Sequence, residues 1–187
     1  MRIKVIGMDP SMNNWGFCKA EVEAETGKVY GQSIALAKTA PGKVKKTVRK
    51  NSDDLRRARE LAEAVAEHVK DAAVAFVEVP VGSQSAAAMK SYGICIGILG
   101  TLNIPMIQVS PDEVKLAGAG KKTASKQEQI VWAVQNQPDL NWMTRKVKGE
   151  LSLTNTNEHP ADALAAIYAG IKTEDFKSVL SIMRMMG

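Results

Sequence analysis

The sequence predicts an α/β fold, a mixed five-stranded sheet with helices on both faces. Two observations predict it. The elements follow the order strand, strand, strand, helix, strand, helix, strand and then helices alone. The first three strands have short connections, which favours an antiparallel meander, while the later strands are joined by helical crossovers, which favours parallel pairing. Because there is no internal repeat, we expect one domain over residues 1–187.

The individual elements follow from apolar spacing and turn residues. Residues 2–8, 15–22 and 28–36 predict strands, with a hairpin turn at Glu25-Thr26-Gly27-Lys28. The basic stretch 38–50 lacks apolar periodicity and predicts a loop. Two further strands are predicted, at 73–79 and 105–109. The predicted helices run from Ser52 to Val69, at 84–101, from the cap at Ser110, at 124–136, from Pro160, and at about 173–185. A polar loop is predicted at 138–157.

Composition excludes several classes of protein. The hydrophobic content of 45% indicates a globular chain. No apolar run reaches the roughly 18 residues of a transmembrane helix. The N-terminus is short and strand-like, unlike a signal peptide, so we expect a cytoplasmic protein that is not secreted and has no membrane partner. Cys18 and Cys95 lie in apolar contexts, as reduced core residues do.

The basic residues are clustered. The net charge is +5 and the pI is about 9.2, which suits a polyanionic partner. Each cluster alone could be a solvated loop. Three basic segments favour phosphate binding, however, because the acidic side chains described next would otherwise repel phosphates. The clusters contain Lys38, Lys43, Lys45, Lys46, Arg49 and Lys50; Lys121, Lys122 and Lys126; and Arg145, Lys146 and Lys148.

Four acidic or imidazole side chains interrupt or end apolar runs. Asp9 follows the first strand and Glu78 ends the fourth, while His159 and Asp162 are three residues apart at a helix start and share one face. Singly, each has a structural explanation, such as a turn or a helix cap. A carboxylate in such a position is costly unless it is paired or binds a cation. Together the four predict a divalent metal site.

The chemistry of these donors favours Mg²⁺, with Mn²⁺ as a substitute. In a mixed sheet the first and fourth strands can be neighbours, which would bring Asp9 and Glu78 to one edge. Two ions about 3.5–4 Å apart can promote in-line attack on a phosphodiester. We therefore expect two ions in each site and no small-molecule cofactor.

The motifs resemble those of RuvC-type Holliday junction resolvases in order and spacing. Gly7-Met8-Asp9-Pro10-Ser11 resembles the first motif of this family and Val77-Glu78 the second. Ser110-Pro111-Asp112-Glu113-Val114-Lys115, with Lys126 eleven residues later, resembles the lysine-bearing region. His159-Pro160-Ala161-Asp162 resembles the last motif. The resemblance covers nearly the whole chain.

The resemblance implies a ribonuclease H-like fold and a two-metal crossover junction endodeoxyribonuclease acting on four-way DNA junctions, in a phage or otherwise divergent member. It implies that Asp9, Glu78, His159 and Asp162 are catalytic metal ligands. It also implies that Lys115 and Lys126 contact the scissile region or its phosphates, with Lys126 among the catalytic residues. With the basic clusters, the expected DNA-binding residues are Lys115, Lys126, Lys121, Lys122, Lys45, Lys46, Arg49 and Lys50.

The resemblance also bears on the oligomeric state, and it has one departure. It implies a homodimer, because a symmetric junction requires two sites, and the helix at 84–101 is a candidate dimer surface. Packing of its small residues against the sheet would explain them equally well. The family's aromatic residue after the second-motif glutamate has no counterpart in Val79-Pro80-Val81-Gly82-Ser83.

Other functions fit parts of the sequence. A ribonuclease H-like nuclease acting on RNA–DNA hybrids or flaps would use the same carboxylates. Gly7-Met8-Asp9-Pro10-Ser11 is also similar to the phosphate-binding hairpin of sugar kinases and actin-like proteins, although that fold needs a second phosphate loop and a duplicated domain. A non-catalytic DNA-binding module is a further alternative, but it would not require Asp9, Glu78 and Asp162.

Overall fold

The computed structural model describes residues 1–42, 50–79 and 82–186. Its main sheet has the strand order β3-β2-β1-β4-β5. The five strands are β1 (Arg2–Asp9), β2 (Asn14–Glu23), β3 (Val29–Lys38), β4 (Val74–Glu78) and β5 (Met106–Val109). The pairs β1–β2 and β2–β3 are antiparallel, whereas β1–β4 and β4–β5 are parallel. The predicted mixed sheet with an N-terminal meander is confirmed.

Helices cover both faces of this sheet. They are α1 (Lys50–Val69), α2 (Ala86–Leu99), α3 (Pro111–Ala117), α4 (Lys126–Asn136), α5 (Glu158–Gly170) and α6 (Glu174–Met186). Successive strand residues point to opposite faces, so Val5 and Phe76 pack with α5 while Ile6 and Val77 pack with α1 and α2. Cys18 and Cys95 are buried in these two cores and neither is in a disulfide. None of the helices in the described ranges is long and apolar enough to cross a membrane.

Several predicted boundaries differ from the structure by one or two residues, and the starts of α1 and α5 are the two that bear on the site. Helix α1 begins at Lys50, two residues before the predicted cap at Ser52. The carboxylate of Asp53 accepts a hydrogen bond from the Gly42 N–H (3.1 Å), so this acid ties the helix to the segment after β3. Helix α5 begins at Glu158, two residues before Pro160, because a 3-10 turn at Asn155–Asn157 leads directly into it.

The prediction of a loop over residues 138–157 is wrong. This segment contains a second, two-stranded sheet formed by β6 (Thr144–Val147) and β7 (Glu150–Leu153). Lys148 and Gly149 both have positive φ, 51° and 91°, which is the backbone of a tight two-residue hairpin turn. The sequence did not indicate a hairpin because its strands are largely polar and Lys-Gly is not among the strongest turn pairs.

Candidate active site

Asp9 and Glu78 end neighbouring strands. β1 and β4 run in parallel, with Met8 opposite Val77, so the next residue of each strand emerges at the same sheet edge. Both carboxylates are half-buried. The predicted meeting of these two groups at one edge therefore follows from the register of a single strand pair.

Helix α5 brings the other two predicted side chains to this edge. Its backbone lies directly on the sheet, because a Cβ atom on Gly7 would overlap the carbonyl oxygen of Ala163, and one on Gly16 would overlap that of His159. Glycine at these two positions lets the helix approach β1 and β2 closely. The first turns of α5, which carry His159 and Asp162, consequently reach the end of β1.

A chain of polar contacts crosses the site. Nδ1 of His159 lies 2.6 Å from Oδ2 of Asp9, and Nε2 of His159 lies 3.4 Å from Oε1 of Glu158. The other carboxylate oxygen of Glu158 accepts from Nζ of Lys126 at 2.7 Å. The ammonium of Lys126 is therefore linked to Asp9 through Glu158 and His159.

The two remaining carboxyl groups are strongly perturbed. Burial, followed by repulsion from Asp9 and Glu78, raises the pKa of Asp162 to about 8. Burial, followed by repulsion from Asp9, raises the pKa of Glu78 to about 7, although Lys115 opposes this. Burial alone would lower the pKa of His159, but the hydrogen bond to Asp9 and the nearby carboxylates raise it. The three acids thus act on one another electrostatically.

The predicted DNA-binding lysines are divided between the site and its surroundings. Lys115 lies close enough to Glu78 to lower its pKa, and Lys126 is part of the contact chain. Lys121 forms an ion pair with Glu128 (2.5 Å) and Lys122 with Asp112 (3.2 Å), both at the surface. Lys45, Lys46 and Arg49 lie outside the described residues, and Lys50 is the first residue of α1.

Comparison with solved structures identifies the fold. RuvC of Thermus thermophilus in complex with a Holliday junction substrate superposes with a TM-score of 0.60 at 19% identity, over 89% of this chain and 92% of that chain. A second Thermus thermophilus RuvC structure gives 0.59 at 20% identity, over 97% of both chains. The Fowlpox virus resolvase in complex with Holliday junction DNA gives 0.52 at 13% identity, over 95% and 99%. This chain has the RuvC-type resolvase fold.

The ribonuclease H-like architecture expected from the sequence is therefore confirmed. No protein-family model matches the sequence, and no curated protein matches it. The similarity to RuvC-type structures is thus one of fold, at 13–20% sequence identity.

The donor set in this RuvC-type fold suits a hard divalent cation. Three half-buried carboxylates, two of them with raised pKa values, would be relieved of mutual repulsion by a positive ion. Among the described residues no three His, Cys, Asp or Glu side chains converge closely enough to form a ready-made metal cluster. The hydrogen bond between His159 and Asp9 engages two of the predicted ligands with each other.

Two residues at the site were missed by sequence reasoning. Glu158 precedes His159 and joins it to Lys126, and its only sequence signal was adjacency to the motif. Arg57 is 6% exposed and donates to the Met12 carbonyl (3.0 Å) and to Thr39 Oγ1 (2.9 Å). It also donates to Asn13 Oδ1 at 2.5 Å, so it secures the turn that follows Asp9. Nothing in the helical pattern of α1 distinguished Arg57 from Arg56 or Arg59.

Proposed function

We propose that this chain is a metal-dependent, structure-selective DNA endonuclease that resolves four-way junctions, with other branched DNA as its wider substrate class. The observation that carries the proposal is that β1 and β4 of a RuvC-type fold bring Asp9 and Glu78 to one sheet edge, where α5 adds His159 in contact with Asp9 and Asp162 within electrostatic reach of both acids. Two of the similar structures, one Thermus thermophilus RuvC and the Fowlpox virus resolvase, are complexes with Holliday junction DNA, which supports the substrate class.

In phosphodiester hydrolysis, four residues of the site would bind metal and two lysines would bind DNA. Asp9, Glu78, His159 and Asp162 would hold two Mg²⁺ ions, with Mn²⁺ as a substitute. When bound, such ions supply an activated water and stabilise charge at the phosphate and the leaving oxygen. Lys115, which acts electrostatically on Glu78, and Lys126, which pairs with Glu158, would attract the DNA backbone to a site that would otherwise repel it.

We also propose that the active form is a homodimer that uses the outer face of α2. Gly93 and Gly97 are exposed on this face, and a Cβ atom at either position would meet no atom within 4 Å. Packing against the sheet therefore does not account for them. Met89 and Ile96, on the same face, are 47% and 48% exposed. A second copy of α2 is the proposed partner.

Cleavage of defined DNA substrates tests the nuclease proposal. End-labelled four-way junction, Y-fork, linear duplex and RNA–DNA hybrid are incubated with the protein and Mg²⁺. We expect paired symmetric nicks in the junction. Asp9→Asn should abolish cleavage and retain junction binding, because it removes an expected metal ligand and leaves the basic surface intact. Asp71→Asn, at the opposite end of the sheet, is the matched control and should cleave normally.

Each other outcome has a definite meaning. Cleavage by purified Asp9→Asn would refute the role of Asp9. Cuts in forks as well as junctions would establish a general debranching nuclease. Cleavage of the hybrid alone would favour the alternative ribonuclease activity, for which the same carboxylates would suffice.

A further inference from the structure

The hairpin formed by β6 and β7, residues 144–153, projects from the molecule. Every residue from Thr144 to Ser152 is exposed, and the side chain of Leu151 is 70% exposed. Only Leu153, at the root, is half-buried against the core. The strands are four residues long, which corresponds to roughly 13 Å. Packing against the main sheet therefore does not explain this hairpin.

The hairpin carries positive charge on both of its faces and at its tip. Arg145 pairs across the strands with Ser152, and Lys146 with Leu151, so the two cations point to opposite faces. Lys148 lies in the turn. Glu150 is the one acidic residue between Thr144 and Leu153. Within the described ranges none of these three cations forms an ion pair, unlike Lys121 and Lys122.

The root of the hairpin is tied to the helix that carries the site. Asn157 is fully buried, and its side chain donates to the Met143 carbonyl (2.8 Å) and accepts from the Met143 N–H (2.9 Å). The Thr154 N–H also donates to the Met143 carbonyl (3.0 Å). His159 follows two residues after Asn157. The hairpin therefore projects from a fixed root beside the candidate metal ligands.

We propose that this basic hairpin is a DNA-binding element that contacts the backbone phosphates of a duplex arm next to the cleavage site. Unpaired cations on both faces and at the tip match a polyanion that surrounds the hairpin, and a two-stranded ribbon is narrow enough to enter the major groove. The hydrogen bonds between the buried Asn157 and Met143 hold the root of the hairpin against the start of α5. This inference rests on the proposed nuclease function and names a surface through which the substrate is held.

The salt dependence of junction binding provides the test. A triple variant, Arg145→Ala with Lys146→Ala and Lys148→Ala, is compared with the unmodified protein in Ca²⁺ or EDTA. Each lost phosphate contact reduces the slope of log K against log salt by about 0.9, so three contacts would reduce it by roughly 2.7. The matched control neutralises Lys172, Lys177 and Arg184, which lie beyond the far end of α5 and on α6. Thermal unfolding verifies that both variants fold.

The outcomes separate this inference from the function on which it rests. A flattened slope in the hairpin variant, with the control unchanged, supports the inference. An unchanged slope, or equal effects in both variants, overturns it even when the unmodified protein cuts junctions. If the unmodified protein neither binds nor cuts junction DNA, the nuclease proposal itself fails, and with it the hairpin's proposed substrate.

A mapping experiment gives an independent answer. Cys18 and Cys95 are buried, so Ser152→Cys introduces a single accessible thiol for an iron-EDTA cleavage reagent. We expect strand scission confined to one arm within a few nucleotides of the nick. Scission spread evenly over all arms, or none at all, would contradict a fixed contact. The same reagent at Ser178→Cys, exposed on α6, is the control.

Discussion

Nδ1 of His159 and Oδ2 of Asp9 are 2.6 Å apart, although the two residues come from opposite ends of the sequence. The contact joins the first turn of α5 to the end of β1. It also places the imidazole between two carboxylates, Asp9 on one ring nitrogen and Glu158 on the other. The pKa of His159 should therefore change when any member of the contact chain from Lys126 to Asp9 is altered.

The titration of the two histidines is the first prediction. In metal-free protein the pKa of His159 should lie above its ordinary value near 6.5, because Asp9, Glu158 and Asp162 outweigh the effect of burial. The pKa of His68 should lie below that value, because burial and Lys19 disfavour its charged form. Glu158→Gln should lower the pKa of His159 and leave that of His68 unchanged. NMR titration of the imidazole protons measures both in one sample.

His68 is the internal control for this experiment. Equal shifts of both histidines in Glu158→Gln would mean a general change in the protein. No shift of His159 would mean that Glu158 has no electrostatic contact with it in solution.

A second prediction concerns stability in the absence of metal. The folded-state pKa values of Asp162 (about 8) and Glu78 (about 7) lie above the ordinary values of 3.8 and 4.5. The folded protein therefore retains protons that the unfolded chain releases, and the free energy of unfolding contributed by these groups falls as pH rises from about 5 to 8. Urea denaturation in EDTA should show this decline, and Asp162→Asn should reduce it.

The same urea denaturation can be repeated with added Mg²⁺ to measure the stabilisation that the ion provides. An ion held by the deprotonated carboxylates should stabilise the folded protein most at pH 8, where the repulsion is greatest. Asp139→Asn, at an exposed position, is the control and should retain the pH dependence of the unmodified protein. A flat stability profile between pH 5 and 8 in EDTA would contradict the raised pKa values.

Much of the fold was predictable because its signals are local. The strands around Val5 and Phe76 are continuous apolar runs, and the Ser110 capping box forms as predicted, with reciprocal contacts to Glu113. The convergence of Asp9 with Glu78 required only that β1 and β4 be neighbours. The Glu158 bridge and the buried Arg57 depend on contacts between distant segments, which residue spacing does not reveal. The hairpin was missed because its strands are largely polar and its turn pair, Lys148-Gly149, is not among the strongest hairpin signals.

A third prediction tests the outer face of α2. Gly93→Ala with Gly97→Ala should stabilise the isolated subunit by about 1 kcal/mol per substitution, because each position is helical and the added methyl group meets open space. In a close helix pair the same methyl groups would separate the backbones and weaken association. Sedimentation across a concentration series should show a weaker dimer. An unchanged dimer with a more stable subunit would exclude this face, and Ser178→Ala is the control.

The fourth prediction concerns the turn after Asp9. Arg57→Met should lower the free energy of unfolding by about 3 kcal/mol, because the Met12 carbonyl and the Thr39 hydroxyl lose a buried, charged donor. Arg57→Lys should recover only part of this loss, since an ammonium lacks the guanidinium fork. Urea denaturation measures both variants. Arg59→Met, exposed on the same helix, should change stability by less than about 0.5 kcal/mol.

The close approach of α5 to the sheet at Gly7 and Gly16 also affects how the chain can diverge. Main-chain atoms set the separation between α5 and the sheet at these two points, so the distance between Asp9 and His159 depends less on the size of any one core side chain. The dimensions of the candidate site can thus persist while side chains that do not contact these two points change. Sequence identities of 13–20% to structures with the same fold are what such an arrangement permits.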